Sequence, residues 1–219
     1  MSDFLRFNFK EKVSSGSIER LGVIDIGSNS VRLVVFDGAA RSPAYFYNEK
    51  VICSLGSDLS SDNELNVLNK NKALATLKRF VLLSKAMGVT LIAVATAAIR
   101  NSRDGVAFCE KILQETGLNV TILNGEEEAN LSAQGVLLGW PSADGLVCDL
   151  GGASLELAEI SEGTVGKTIS CPIGPLYLNQ FYPKQKLQRD FINSELRKSR
   201  KIFSKKYTNI YLVGGSWRS

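Results

Sequence analysis

One pattern occurs twice in this chain and limits the folds open to it: an apolar strand runs into an aspartate, bends at glycine and serine, and continues as a second apolar strand. The first copy, LGVIDIGSNSVRLVVFD at residues 21–37, carries Asp25 ahead of Gly27, Ser28, Asn29 and Ser30. The second, GLVCDLGGASLELAEI at 145–160, carries Asp149 ahead of Gly151, Gly152, Ala153 and Ser154, with Glu156 on its second strand. Such bends tolerate tight-turn angles and offer N–H and hydroxyl donors, so each can cradle an oxyanion. A carboxylate near the end of an apolar strand needs partners or a use for its charge. In a single copy it would read first as a cap on its own turn. Two copies separated by a helix-bearing stretch point to a duplicated α/β fold that closes a cleft over a phosphorylated ligand.

The rest of the chain supplies what that fold needs. Residues 44–54 read as one or two further strands, and near-helical spacing of apolar residues predicts a helix over 66–87. The continuous apolar run TLIAVAT at 90–96 suits a strand buried on both faces. It empties into Arg100, where ligands of open α/β sheets lie. A helix over 103–116, a strand over 119–123 and a helix from Gly125 follow, and that last helix opens on Glu126, Glu127 and Glu128. Three acids in a first turn suit the helix dipole, and crowded carboxylates in a cleft would equally suit a general base. Strands over 163–170 and 209–213 flank helices over 176–181 and 187–203. Residues 1–19 carry no periodic signal and are expected to form a loose leader. The segment GTVGKT at 163–168 imitates the tail of a nucleotide P-loop, but position 161 is serine and the context joins strand to strand.

Composition narrows the chemistry. The sequence contains no histidine, which excludes Ser-His-Asp and Cys-His catalysis and histidine-ligated metals and leaves proton transfer to carboxylates. Cys53, Cys109, Cys148 and Cys171 are too irregularly spaced for a zinc or redox motif. Apolar stretches are short and broken by charges, and the first residues lack a signal-peptide core, so a cytoplasmic protein without a membrane partner is expected. The net charge of +4 hides an imbalance: residues 178–219 hold 10 Lys and Arg against 2 acids. Lys198, Arg200, Lys201, Lys205 and Lys206 belong to this run, which is either a solvated helix face or a track for a long polyanion.

Five segments carry a resemblance: DIGSNSVRL, ATAAIR at 95–100, GEEEANL at 125–131, DLGGASLE at 149–156 and IGPLYL at 173–178. Taken in order they cover nearly the whole chain, which resembles the exopolyphosphatase and guanosine pentaphosphate phosphohydrolase family, a branch of the actin, sugar-kinase and Hsp70 superfold. The resemblance implies two ribonuclease-H-like domains of actin type around a cleft, the first over residues 20–124 and the second over 125–219, incomplete at its C-terminal end. Apolar surface that further helices would cover is then exposed or shared with a partner subunit, as in a homodimer.

The implied activity is hydrolysis of a phosphoanhydride at the end of inorganic polyphosphate or at the 5′ phosphate of guanosine pentaphosphate, with no specific nucleic-acid partner. Gly27, Ser28, Asn29 and Ser30 would grip phosphate from one side and Gly151, Gly152, Ala153 and Ser154 from the other. Arg32 and Arg100 would add charge-assisted contacts. Asp25, Asp149 and Glu156 would hold Mg2+, and Glu127, the first acid of the matching EEA element, would activate water. The sequence departs from the family pattern at Ala153, Leu155 and Tyr177. A kinase or ATPase of the same superfold and a non-catalytic binder of guanosine tetra- or pentaphosphate are the competing readings.

Overall fold

A computed structural model describes residues 20–37, 44–59, 62–203 and 205–218, so the expected leader over 1–19 lies outside the described residues. The described residues form two sheets. The first takes strands β1 (Leu21–Ile26), β2 (Ser30–Phe36), β3 (Tyr45–Ile52), β4 (Thr90–Ala95) and β5 (Val120–Ile122) in the order β3-β2-β1-β4-β5. The second takes β6 (Gly145–Leu150), β7 (Leu155–Ser161), β8 (Thr164–Cys171) and β9 (Ile210–Val213) in the order β8-β7-β6-β9. In each, an antiparallel hairpin pairs with a third antiparallel strand on one side and a parallel strand on the other. The two halves therefore share one topology. The segment that imitates a P-loop is the tight turn and start of β8, in a β7–β8 hairpin.

Among the described residues six helices complete the architecture: α1 (Val67–Ala86), α2 (Ala97–Asn101), α3 (Gly105–Thr116), α4 (Gly125–Gly139), α5 (Pro175–Phe181) and α6 (Gln185–Ile202). The short α2, not expected from the sequence, forms where β4 ends. Strand alternation puts Ile24, Ile26, Leu33 and Val35 on one face of the first sheet, against Leu77 and Phe80 of α1 and Phe108 and Ile112 of α3. The opposite face leaves Tyr45, Phe46 and Ile52 exposed.

The second sheet is covered on both faces. Ala129 and Ala133 let α4 lie close over Val147, Ala158 and Ile160, while Leu178 and Phe203 cover Cys148, Leu155 and Leu157. A 3-10 turn over Gly215–Arg218 closes the described chain, and its Trp217 donates to the carbonyl of Cys148 at 3.1 Å. Gln180 of α5 reaches the Leu59 carbonyl of the other half at 3.5 Å. Among the described residues no helix is long and apolar enough to cross a membrane.

Candidate active site

The two bends have the same internal geometry. Gly27 N–H donates to the Ser30 carbonyl at 2.9 Å, and Gly151 N–H donates to the Ser154 carbonyl at 2.9 Å. The carbonyls between are engaged by the segments that follow each hairpin. Asn29 accepts from Cys53 and Ser54 and Ser28 from Gly56, while Ala153 accepts from Gly174 and Gly152 from Leu176. With their carbonyls held from behind, the middle amides of each bend are left as donors, the arrangement that binds anions. The bends also face each other: a Cβ placed on Gly152 would lie 3.2 Å from the Cβ of Ser28.

Acids gather beside this gap. Asp25 pairs in register with Arg32, and Asp149 with Glu156. Asp25 keeps accessible surface, as a cleft wall does, yet its pKa is pushed up to about 6, first by burial and then by the charge of Asp149, against the pull of Arg32 and Lys50. Glu156 is buried and pushed up to about 7, by burial and then by Glu128, against hydrogen bonds from Ser154 and Ser170. Burial also raises Asp149, which accepts a hydrogen bond from Ser132.

The three acids at the start of α4 point in different directions. Glu126 is exposed. Glu127, expected to be the base, turns back on its own helix: its carboxylate accepts from Asn124 N–H at 2.9 Å while Asn124 accepts from Glu127 N–H, a reciprocal cap. Glu128 is the acid that joins the cluster. Burial raises its pKa, the Arg100 guanidinium at 2.8 Å opposes the rise, and Asp25 and Asp149 add to it. Gly125 makes this placement feasible, because a Cβ there would stand 2.4 Å from the Cβ of Ser170 on β8.

Arg100 has partners the sequence did not show. Its guanidinium donates to the Leu123 carbonyl and to Glu128, with 18% and 16% of the Arg100 and Glu128 side chains exposed. Both bonds use Nη1, so Arg100 orients Glu128 through one nitrogen of its fork. Arg32 donates its Nε to Asn48 and keeps its terminal nitrogens. Leu155 is packed in the second core, and Tyr177 stacks among Phe181, Tyr182 and Phe191. Of the basic run, Lys198 pairs with Glu195 and Lys205 with Glu159, each at 2.5 Å, while Arg200, Lys201 and Lys206 lie exposed.

Among the described residues no three acids stand ready to hold a metal ion unaided. Asp25, Asp149 and Glu156 form an oxygen-only set in which the charge of Asp149 raises the other two, donor chemistry of the kind a hydrated Mg2+ would take. Ser132 and Ser170, which steady Asp149 and Glu156, were not anticipated. Ser132 lies four residues after Glu128, on the same helix face, a spacing visible in the sequence.

The profile of the Ppx/GppA phosphatase family matches residues 23–219. The chain belongs to that family. It is similar in structure to an exopolyphosphatase from Cytophaga hutchinsonii, with a TM-score of 0.82 and 26% identity over 91% of this chain and 68% of that one. An Aquifex aeolicus member of the Ppx/GppA family gives a TM-score of 0.73 and 28% identity over 90% and 67%. Exopolyphosphatase 1 of Mycobacterium bovis is 30% identical over 159 residues, 71% of this chain and 46% of that protein. The chain thus spans about half the length of the curated relatives it matches. Its two-sheet α/β architecture is the actin-type fold expected from the sequence.

Proposed function

We propose that the chain carries the phosphate-gripping and water-activating part of a phosphoanhydride hydrolase that releases the terminal phosphate of inorganic polyphosphate. The observation that carries this reading is the pair of matched bends, Ser28 facing Gly152, beside an isolated cluster of acids. Phosphoryl transfer to water needs little covalent help from the protein. It needs positioning, neutralisation of charge and an oriented nucleophile.

In this account the amides of the two bends hold the transferred phosphate from opposite sides, and Arg32 adds charge. Glu128 takes the proton of the attacking water, since burial and two neighbouring acids make it a better base than an exposed carboxylate, while Arg100 keeps it aimed and ionised. Asp25, Asp149 and Glu156 would hold Mg2+, which when bound supplies positive charge to the phosphate oxygens. Ser132 and Ser170 fix the orientation of those acids.

Guanosine pentaphosphate is a second substrate reading, favoured by a pocket of about 610 Å3 beside the bends. Ile169 and Pro172 offer it an apolar side for a base, Asn101, Asn124 and Ser170 offer neutral hydrogen-bonding groups for a sugar, and Arg100 and Glu126 add one charge of each sign. The test is phosphate release with Mg2+ from long-chain polyphosphate, guanosine pentaphosphate and ATP. Release from the first or second above ATP supports the reading. Preference for ATP would favour a kinase or ATPase, and binding without release a non-catalytic module.

A further inference from the structure

The two halves share a topology but not a charge pattern, and the difference lies on one rung of each sheet. In the first sheet Asp25, Arg32 and Lys50 are register partners across β1, β2 and β3. The matching rung of the second sheet is Asp149, Glu156 and Ser170. One wall is therefore net cationic and the other anionic. Among the described residues Lys50 makes no ion pair. Its influence is felt at Asp25, and its ammonium lies 4.0 Å from where a Cβ on Gly215 would sit, at the glycine pair of the other half.

Like charges directly opposite on neighbouring strands destabilise a sheet unless something anionic lies between them. Asp25 answers one of the two cations and leaves the other in excess. Arg100 is partly neutralised by Glu128, which its Nη1 contacts. The acids opposite need Mg2+ to offset their charge, whereas this wall attracts a polyanion by itself. Lysine, a flexible point charge with three donors, suits successive phosphates of varying position, whereas Arg32 has a fixed fork.

We propose that Lys50 is a substrate-binding residue that contacts phosphates beyond the terminal one, so that a linear phosphate chain runs from the two bends along β2 and β3 toward Gly215. This rests on the hydrolase reading of the site. Neighbouring strands are about 4.8 Å apart, which puts β3 roughly 10 Å from β1, several phosphates along such a chain. The ligand class is a chain of several phosphates, in preference to a monoester or pyrophosphate.

The experiment compares wild type, Lys50→Gln and Lys50→Arg in equilibrium binding and phosphate release, using long-chain polyphosphate and pyrophosphate, with thermal melting as a check on folding. Loss of one charged hydrogen bond predicts a roughly tenfold weaker Kd for long-chain polyphosphate in Lys50→Gln, less than twofold change for pyrophosphate, and kcat within about twofold. The dependence of binding on salt should fall by about 0.7 in log-log slope. Lys50→Arg, which keeps the charge but replaces the flexible ammonium with a fixed fork, should keep the salt dependence and lose less affinity than Lys50→Gln. Unchanged polyphosphate binding in Lys50→Gln, or equal losses for both ligands, would overturn the proposal. Wild type that binds polyphosphate without releasing phosphate defeats the hydrolase reading while the binding arm still decides Lys50. Wild type that binds none overturns both.

Discussion

Ser28 and Gly152 meet across the gap between the two sheets, with 3.2 Å between the Cβ of Ser28 and a Cβ built on Gly152, and 3.0 Å from that same point to Leu176 Cδ1. A side chain at 152 must therefore push one neighbour or the other. Gly152→Val is expected to lower phosphate release by at least about tenfold, as misplacement of a reacting group does. Trimming Ser28 to glycine in the same chain should restore part of that loss. The check is a double-mutant cycle on kcat/KM; strictly additive losses would show that the bends do not meet in solution.

Arg100 and Glu128 are coupled, and the coupling has a sign. The guanidinium lowers a carboxyl that burial raises. In Arg100→Gln the pKa of Glu128 climbs further, so a base that must be ionised works only at higher pH. The acidic limb of the kcat/KM profile is expected to move to higher pH, which a merely structural arginine would not cause.

Asp25 trades stability for function. Its folded pKa of about 6 lies above the usual carboxylate value of 3.8, so its favourable contribution is complete below about pH 4 and is lost as pH rises through 6. Asp25→Asn should therefore melt at a higher temperature than wild type at pH 8, without added metal. The gain should vanish near pH 4, and phosphate release should fall. Thermal melts at the two pH values make the comparison.

Asp104 shows the opposite behaviour. Burial alone would raise its carboxyl, but hydrogen bonds from Lys70 Nζ at 2.6 Å and Leu65 N–H at 2.9 Å outweigh that and hold it low. It ties the start of α1 to the start of α3. Asp104→Ala is expected to cost about 1–3 kcal/mol by denaturant unfolding, and Asp104→Asn less. Because its folded pKa is depressed, this stability is present above the ordinary carboxylate range and disappears as pH falls through the folded value.

What the sequence made legible follows from how local each signal is. Both hairpins, strand β4 and helices α1 and α4 are written in runs of apolar residues punctuated by glycine and serine, and they form within a residue or two of expectation, although β4 buries only Ala93 and Ala95 and not both of its faces. The short α2 carries no such period. Glu127 and Glu128 could not be told apart by chemistry, since adjacent helical residues differ only in direction, about 100° apart. The cue was the spacing Asn124-x-x-Glu127, a capping box that commits Glu127 to its own helix end. Arg100 read as an anion contact because its partner Glu128 is 28 residues away, a pairing only the fold reveals. Lys50 was passed over because its rung is set by strand register, which sequence periodicity leaves undetermined.

The most direct measurement of the central claim is phosphate release from long-chain polyphosphate with Mg2+ by wild type, Glu128→Gln and Glu127→Gln. Glutamine can still cap α4 at position 127, so Glu127→Gln is expected to stay within about threefold of wild type, while Glu128→Gln loses about 10²–10⁴ in kcat, the worth of a general base. Full activity in Glu128→Gln, with the loss falling on Glu127→Gln, would contradict the account.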